Sequence, residues 1–343
     1  MKVNQFPDRI IEIKNEEYLY FGGTAYLGLP THPEFQKLLI KNILQWGTAY
    51  GSSRSANIQL SAYENGERFL ANYIKTDAAL TISSGMLAGK LVVEALTPET
   101  DCFFHFPDTH TAIKAQNSLP FFIGNELNPR LLDNATEKIT ILTDSVPSFH
   151  IKPIDLTILN SIPSNKEITL VIDESHSLGI LGTNGCGIFS TINLPNIKRK
   201  IMVSSLGKAF GLTGGVIASD SEFINQMATH DTFVSSAGMN AAFVQTMADA
   251  KAIYLQQHQK LKDNLNYIDT HLIKNKAIHF DSNYPLIYPE TEGLNDVCTT
   301  NKIIVTNFKY PTDTRDLNRI VITANHKKED LDKIIYILNQ NQF

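Results

Sequence analysis

Short, largely apolar runs that recur between helical patterns constrain this chain more than any other feature. They fall at 79–82, 103–106, 121–123, 139–142, 170–172, 201–203 and 216–218, and are rich in Val, Ile and Phe. A strand with one wet face alternates; a continuously apolar one needs cover on both faces. Helical stretches such as 86–96 lie between some of the runs. From about residue 35 to residue 220 the pattern predicts an α/β fold with a doubly wound, mostly parallel sheet. Ligands of such sheets gather beyond the carboxyl ends of strands, so the residues that close each run are the first candidates for function.

Beyond Ala241 a long helical pattern runs to near Leu272, followed by short strand candidates at 303–306 and 320–323. The last helix is expected at 327–339, with Leu331, Ile334, Ile335 and Leu338 spaced as a core-facing stripe. A length of 343 residues suits two or three folding units, or one large unit with an appendage. The expected division is a segment 1–35 packed with the small domain, a large domain 36–240, and an interdomain helix plus small α/β domain 241–343.

Charge and cysteine content exclude several functions. The net charge is −5 and no segment concentrates Lys and Arg, which argues against nucleic-acid or membrane-surface partners. No run of about 18 apolar residues suits a membrane span, and the charged start does not resemble a signal peptide. Cys102, Cys186 and Cys298 form no C-x-x-C, so a reducing cytoplasm is the expected compartment. Small anionic ligands remain open, because one lysine and a few backbone amides hold a phosphate.

Three segments that close strand candidates carry unusual residues. In Thr81-Ile82-Ser83-Ser84-Gly85-Met86 a strand passes through small polar residues into a helix. Helix-start amides attract an anion there, while Ser84 also suits a plain N-cap. In Val171-Ile172-Asp173-Glu174-Ser175-His176-Ser177 an acid sits at a strand mouth with a histidine three residues on. That suits a helix cap, a metal-ligand pair lacking further ligands, or a carboxylate for a cofactor's ring nitrogen. In Val203-Ser204-Ser205-Leu206-Gly207-Lys208-Ala209-Phe210-Gly211 a lysine lies among glycines between two buried strands. Met202 and Ala209 break the P-loop pattern, and 182–187 does not open a helix as a dinucleotide fingerprint would. Taken together, a phosphate cradle, a ring-nitrogen carboxylate and a buried lysine are what pyridoxal phosphate (PLP) requires: the lysine forms a Schiff base and the protonated ring accepts electrons.

D-E-S-H-S-L-G-I-L-G-T-N-G-C-G at 173–187 and S-S-L-G-K-A-F-G-L-T-G-G at 204–215 resemble the α-oxoamine synthases, a group of fold-type I PLP enzymes. Weaker likeness extends over Y-L-G-L-P-T-H-P at 26–33, W-G-T-A-Y-G-S-S-R at 46–54 and R-I-V-I-T-A-N-H at 319–326. The resemblance implies PLP-dependent condensation of a small amino acid (alanine, glycine or serine) with an acyl thioester, bound to CoA or a carrier protein, with loss of CO2. It implies Lys208 as Schiff-base lysine and base, and Asp173 as partner of the ring nitrogen. His176 and Ser148 fall near the ring's 3-hydroxyl, and His110 stacks over the ring. Ser84, Gly85, Met86 and Ser205 meet the phosphate. Ser235 and Ser236 reach it from a partner subunit, which makes a homodimer with shared active sites. Arg319 takes the amino-acid carboxylate.

The chain departs from the family pattern in several places. Most of the N-terminal helical extension is missing before Tyr26, and Thr24-Ala25 replaces an asparagine. Ile58 stands at a glycine position, Tyr63 at a histidine position, and 147–150 is shortened. These changes bear on the acyl donor and leave two alternatives: an aminotransferase or other PLP lyase, and a non-catalytic relic of the fold.

Overall fold

The computed structural model describes residues 1–290, 293–309 and 316–340. The chain opens with β1 (Ile10–Ile13) and β2 (Glu16–Phe21), then α1 (Pro33–Trp46) and α2 (Ser61–Ile74). Next come β3 (Ala78–Ile82), α3 (Gly85–Leu96), β4 (Cys102–His105), β5 (Leu119–Pro120), β6 (Phe122–Ile123) and β7 (Glu126–Leu127). The central strands follow: β8 (Glu137–Asp144), β9 (Lys166–Asp173), β10 (Ile197–Ser205) and β11 (Gly215–Ser219). Helices α4 (Ser221–Ala228), α5 (Asp231–Ser235), α6 (Ala241–Asp249) and α7 (Lys251–His271) lead into β12 (Ile278–Phe280) and β13 (Leu286–Pro289). Helix α8 (Leu294–Thr300), β14 (Ile303–Lys309), β15 (Asp316–Val321) and α9 (Lys328–Gln340) complete the described chain.

A seven-stranded sheet runs in the order β3-β11-β10-β9-β8-β4-β5. Every neighbouring pair from β10 to β5 is parallel, and β11 is antiparallel to both β10 and β3. The expected sheet is therefore present and mostly parallel. Strand direction was not written in the apolar runs: β11 follows β10 through a short loop, and only an antiparallel return fits so brief a connection. Ile141, Leu170, Val171, Ile172, Ile201, Met202 and Val203 are fully buried, as strands covered on both faces must be. Each such side chain contributes roughly 1.5–3 kcal/mol of apolar burial.

The 121–123 run departs from expectation. Pro120 closes the short β5 on the sheet edge because it has no N–H to extend the ladder. Phe121 stacks on Phe106 at 4.1 Å, and β6 turns away to pair with β7 as a separate ribbon. The helical pattern after Ala241 also divides, at Ala250 (φ −91°, ψ 11°). Helix α6 packs on α1 and α2, where Asn42 donates to Thr246 and Asp249 at 3.0 Å each. Helix α7 crosses to the second sheet, where Asn264 bonds the Thr323 and His326 carbonyls.

That second sheet has the order β1-β2-β14-β15-β13-β12, with only β2 and β14 parallel. The start of the chain is thus woven beside its end. Arg9 Nη1 donates to both carboxylate oxygens of Asp330, at 2.8 and 2.9 Å, and Asn325 bonds both Asp8 and the Gly28 carbonyl.

Candidate active site

Strand β8 ends in Asp144 and β9 in Asp173, directly opposite each other in the parallel register. Both are buried. The turn after β9 is fixed by its own groups: the Ser175 amide donates to Asp173 Oδ1 at 2.8 Å, and the Glu174 amide to the Val203 carbonyl at 2.8 Å. Ser175 Oγ accepts the Ser205 amide at 2.8 Å and so ties this turn to the end of β10.

Lys208 lies in the loop from β10 to β11. The loop is closed by Leu206 N–H to the Gly214 carbonyl (2.9 Å) and Gly211 N–H to the Lys208 carbonyl (3.1 Å). Gly211 has φ 67°, and a Cβ there would meet Leu29 Cβ at 2.8 Å, so this turn requires glycine. Burial holds the Lys208 amine below its usual range; Asp173 and Asp144 pull the other way, and Arg319 adds to the depression. A lysine so placed has a larger share of neutral, nucleophilic amine than one in water.

Helix α3 starts against the same loop. Ser84 accepts the Leu87 amide at 3.1 Å, so its hydroxyl is the helix cap. Gly85 and Met86 are the first two helical residues, and the N–H groups of a first turn lack helical partners. A Cβ on Gly85 would lie 2.8 Å from the Ser205 Cα, so glycine lets the helix start abut Ser205. A Cβ on Gly215 would meet the Ser84 carbonyl at 2.4 Å, which holds β11 against the same turn.

His110 is exposed in the loop after β4, with its Nδ1 accepting the Ala112 amide at 3.2 Å. Its backbone N–H donates to Asp144 Oδ1 at 3.3 Å. Although the residue is exposed overall, desolvation of its imidazole lowers its pKa, and the opposing charges of Asp173 and Lys208 reach it, which places it at the same site rather than on a remote surface. His176 pairs its Nδ1 with the Tyr26 hydroxyl at 2.8 Å. Its imidazole is held well below its usual pKa by burial, then by Lys208, Arg319 and His110, so it is neutral. Arg319 is buried on β15 opposite Thr306, and its charge opposes the burial that raises the pKa of Tyr20 and Tyr284. It lines a cavity of about 380 Å³ shared with Ile11, Tyr20, Ile304 and Phe308.

Ser148 lies in the turn after β8, half-buried. Ser235 is exposed at the end of α5, and Ser236 spends its hydroxyl on the Thr232 carbonyl. Three groups at the site were not anticipated. Asp144 closes an apolar run as Asp173 does, which was the available signal. Glu174 is fully buried, and burial pushes it up to about 7 although Ser177 Oγ (2.7 Å) and the Ile188 amide (3.0 Å) donate to it. Ser145 bonds both the Asp173 carbonyl (3.0 Å) and Ser177 Oγ (2.6 Å). Among the described residues, no cluster of three or more His, Cys, Asp or Glu could hold a metal, and no helix is long and apolar enough to cross a membrane.

These residues fit PLP. The Gly85–Ser205 contact builds an anion cradle at a helix start, and a depressed lysine sits in the next loop beside a strand-end carboxylate. Against known proteins, residues 151–338 match the family described as aminotransferase class I and II. The chain belongs to that family. It is 26% identical to a putative 8-amino-7-oxononanoate synthase of Rippkaea orientalis, over 98% of this chain and 93% of that protein. It is 28% identical to the 8-amino-7-oxononanoate synthase of Petrotoga mobilis, over 94% and 88%. Serine palmitoyltransferase of Sphingomonas wittichii superposes with a TM-score of 0.82 at 16% identity, covering 99% of this chain and 91% of that one. A Francisella tularensis 8-amino-7-oxononanoate synthase superposes at 0.69 and 21% identity, covering 94% and 97%. The fold is that of the PLP-dependent transferases, and the chain is an enzyme of the α-oxoamine synthase kind with PLP as its cofactor.

Proposed function

We propose that the chain condenses a small amino acid with an acyl thioester with loss of CO2, and that alanine and a pimeloyl thioester, giving 8-amino-7-oxononanoate for biotin synthesis, are its substrates. The observation that carries this reading is the meeting of Lys208, Asp173 and His110 beside the α3 cradle, in a chain whose relatives are 8-amino-7-oxononanoate synthases along nearly their whole length. PLP, when bound, supplies an electron sink for a carbanion at the substrate's α-carbon.

Each residue then has a role set by its surroundings. Gly85 and Met86 offer backbone N–H groups, and Ser205 its hydroxyl, to the phosphate; Ser84 serves the helix. Asp173, held by the Ser175 amide, keeps the ring nitrogen protonated. His176 is neutral and fixed by Tyr26, so it would be a hydrogen-bonding partner for the 3-hydroxyl rather than a second cation, a task in which Ser148 is assigned to join it. Lys208 Nζ takes the α-proton, a task helped by its depressed pKa. Arg319 presents a planar fork to the amino-acid carboxylate. His110, at the mouth of the same site, would cover the ring of bound PLP and is positioned to donate to the oxygen on which charge develops. Ser235 is assigned to the phosphate of a second subunit in a homodimer, with Ser236, whose hydroxyl serves the Thr232 carbonyl, beside it.

The test is mass spectrometry of the products formed when the PLP-loaded protein is given alanine, glycine or serine with acyl-CoAs or acyl carrier proteins. The expected result is 8-amino-7-oxononanoate from alanine and the pimeloyl donor. No thioester-dependent ketone with any pair contradicts the reading.

A further inference from the structure

The reaction as assigned uses Asp173 and has no use for the second acid beside it. Asp144 ends β8 in direct register with Asp173 at the end of β9, and both side chains are buried. Two carboxylates side by side out of water repel, so one of them is held as the neutral acid. The surroundings tell which. The groups facing Asp144 are Asp173 from β9, Asp108 and the His110 amide from the loop after β4, Lys208 from the β10–β11 loop, and Tyr284 ahead of β13. Burial, Asp173 and Asp108 raise its pKa well above the ordinary carboxylate range against the pull of the His110 amide and Lys208.

The same strand end anchors the loop that carries His110. Phe106 N–H bonds the Leu142 carbonyl at 3.0 Å, Thr109 Oγ1 bonds that carbonyl at 3.1 Å, and His110 N–H bonds Asp144 Oδ1 at 3.3 Å. Of these ties, only the last ends on a side chain of β8 and lands on the histidine itself.

We propose that Asp144 is a positioning residue: paired in register with Asp173 and bonded to the His110 amide, it holds His110 in place as an uncharged acid. The inference rests on the functional reading above for the role of His110, while the charge state of Asp144 is a property of the folded chain alone.

Asp144→Asn keeps the shape and the acceptor oxygen without a charge, whereas Asp144→Ala removes both. With PLP bound, Asp144→Ala is expected to lose kcat by about tenfold to a hundredfold, since misplacing a group by about 1 Å costs that much. Asp144→Asn is expected to recover most of that loss, with KM for the amino acid little changed. Asn and Ala falling equally, or Ala matching the original chain, overturns the proposal.

A second measurement keeps the test decisive if the alanine variant does not fold or if the catalytic reading fails. Melting of the full chain without added PLP is compared with that of Asp144→Asn from pH 4 to pH 8. An acid held protonated in the fold loses its proton first in the unfolded chain, so its stabilising contribution fades as pH rises. The melting temperature of the original chain should therefore fall relative to the asparagine variant across this range. A gap that does not change with pH means that Asp144 is ionised in the fold and refutes the proposal, whatever the enzyme assays give.

Discussion

At the amino ends of β8 and β9, Lys166 Nζ lies 2.6 Å from both Asp133 Oδ1 and Glu137 Oε2, with its side chain fully buried. At the carboxyl ends of the same two strands, Lys208 faces Asp144 and Asp173. The residue types match and the outcomes are opposite. Burial pulls Lys166 down, but the hydrogen bonds it donates to the two carboxylates more than offset it; Asp133 is lowered by its bond from Lys166, and Glu137 by its bonds from Arg130 and Lys166. At the other end burial prevails: Lys208 and His176 are lowered, while Asp144 and Glu174 are raised. One end of the sheet stabilises charges by pairing them. The other keeps groups near neutrality, where they accept or release protons.

The sharpest way to break this contrast is Lys208→Ala. It is expected to lower kcat by about a thousandfold or more, because it removes nucleophile and base together. The melting temperature should stay the same or rise, since a desolvated amine disappears. A large drop in melting temperature would place Lys208 in the structural class with Lys166.

Glu174→Gln tests the same end through pH. Unfolded, the carboxyl titrates near 4.5; folded, near 7. The stability that the protonated acid provides is fully present below pH 4.5 and is lost as pH rises through about 7, with a span of roughly 3 kcal/mol. Urea unfolding of the original chain and the glutamine variant should show their difference shifting across that window. A constant difference would mean that Glu174 is charged in the fold.

Lys166→Met should cost about 2 kcal/mol in urea unfolding, less than a fully enclosed pair because Asp133 is half in water, and should leave kcat per folded molecule unchanged. The smallest effect belongs to Arg199→Ala at the same edge. Its bridge to Glu222 (3.1 Å) is open to solvent and that to Asp220 (2.9 Å) is only partly covered, so about 0.5 kcal/mol is expected by the same measurement. If Arg199→Ala costs as much as Lys166→Met, burial is not what separates them.

The sequence revealed the large sheet because β8, β9 and β10 are apolar on both faces, a pattern that a strand with one face in water does not show. It hid β1 and β2, where Glu12, Glu16 and Glu17 interrupt the apolar positions and the strands show only when β14 supplies a partner. Lys208 and Asp173 were legible because a lysine among glycines and an acid closing an apolar run are both costly without a purpose. Asp144 has the second signature too, but its meaning depends on the register with Asp173, and register is a property of the folded sheet. Ser84 shows the reverse case: a residue that suited a phosphate site caps its own helix through Leu87.

The central claim is that the amine of Lys208 joins the cofactor. Borohydride reduction of the PLP-loaded chain, followed by protease digestion and mass spectrometry of the labelled peptide, tests it directly. The account predicts one pyridoxyl label per chain, on Lys208. A label on another lysine, or no label at saturating PLP, contradicts it.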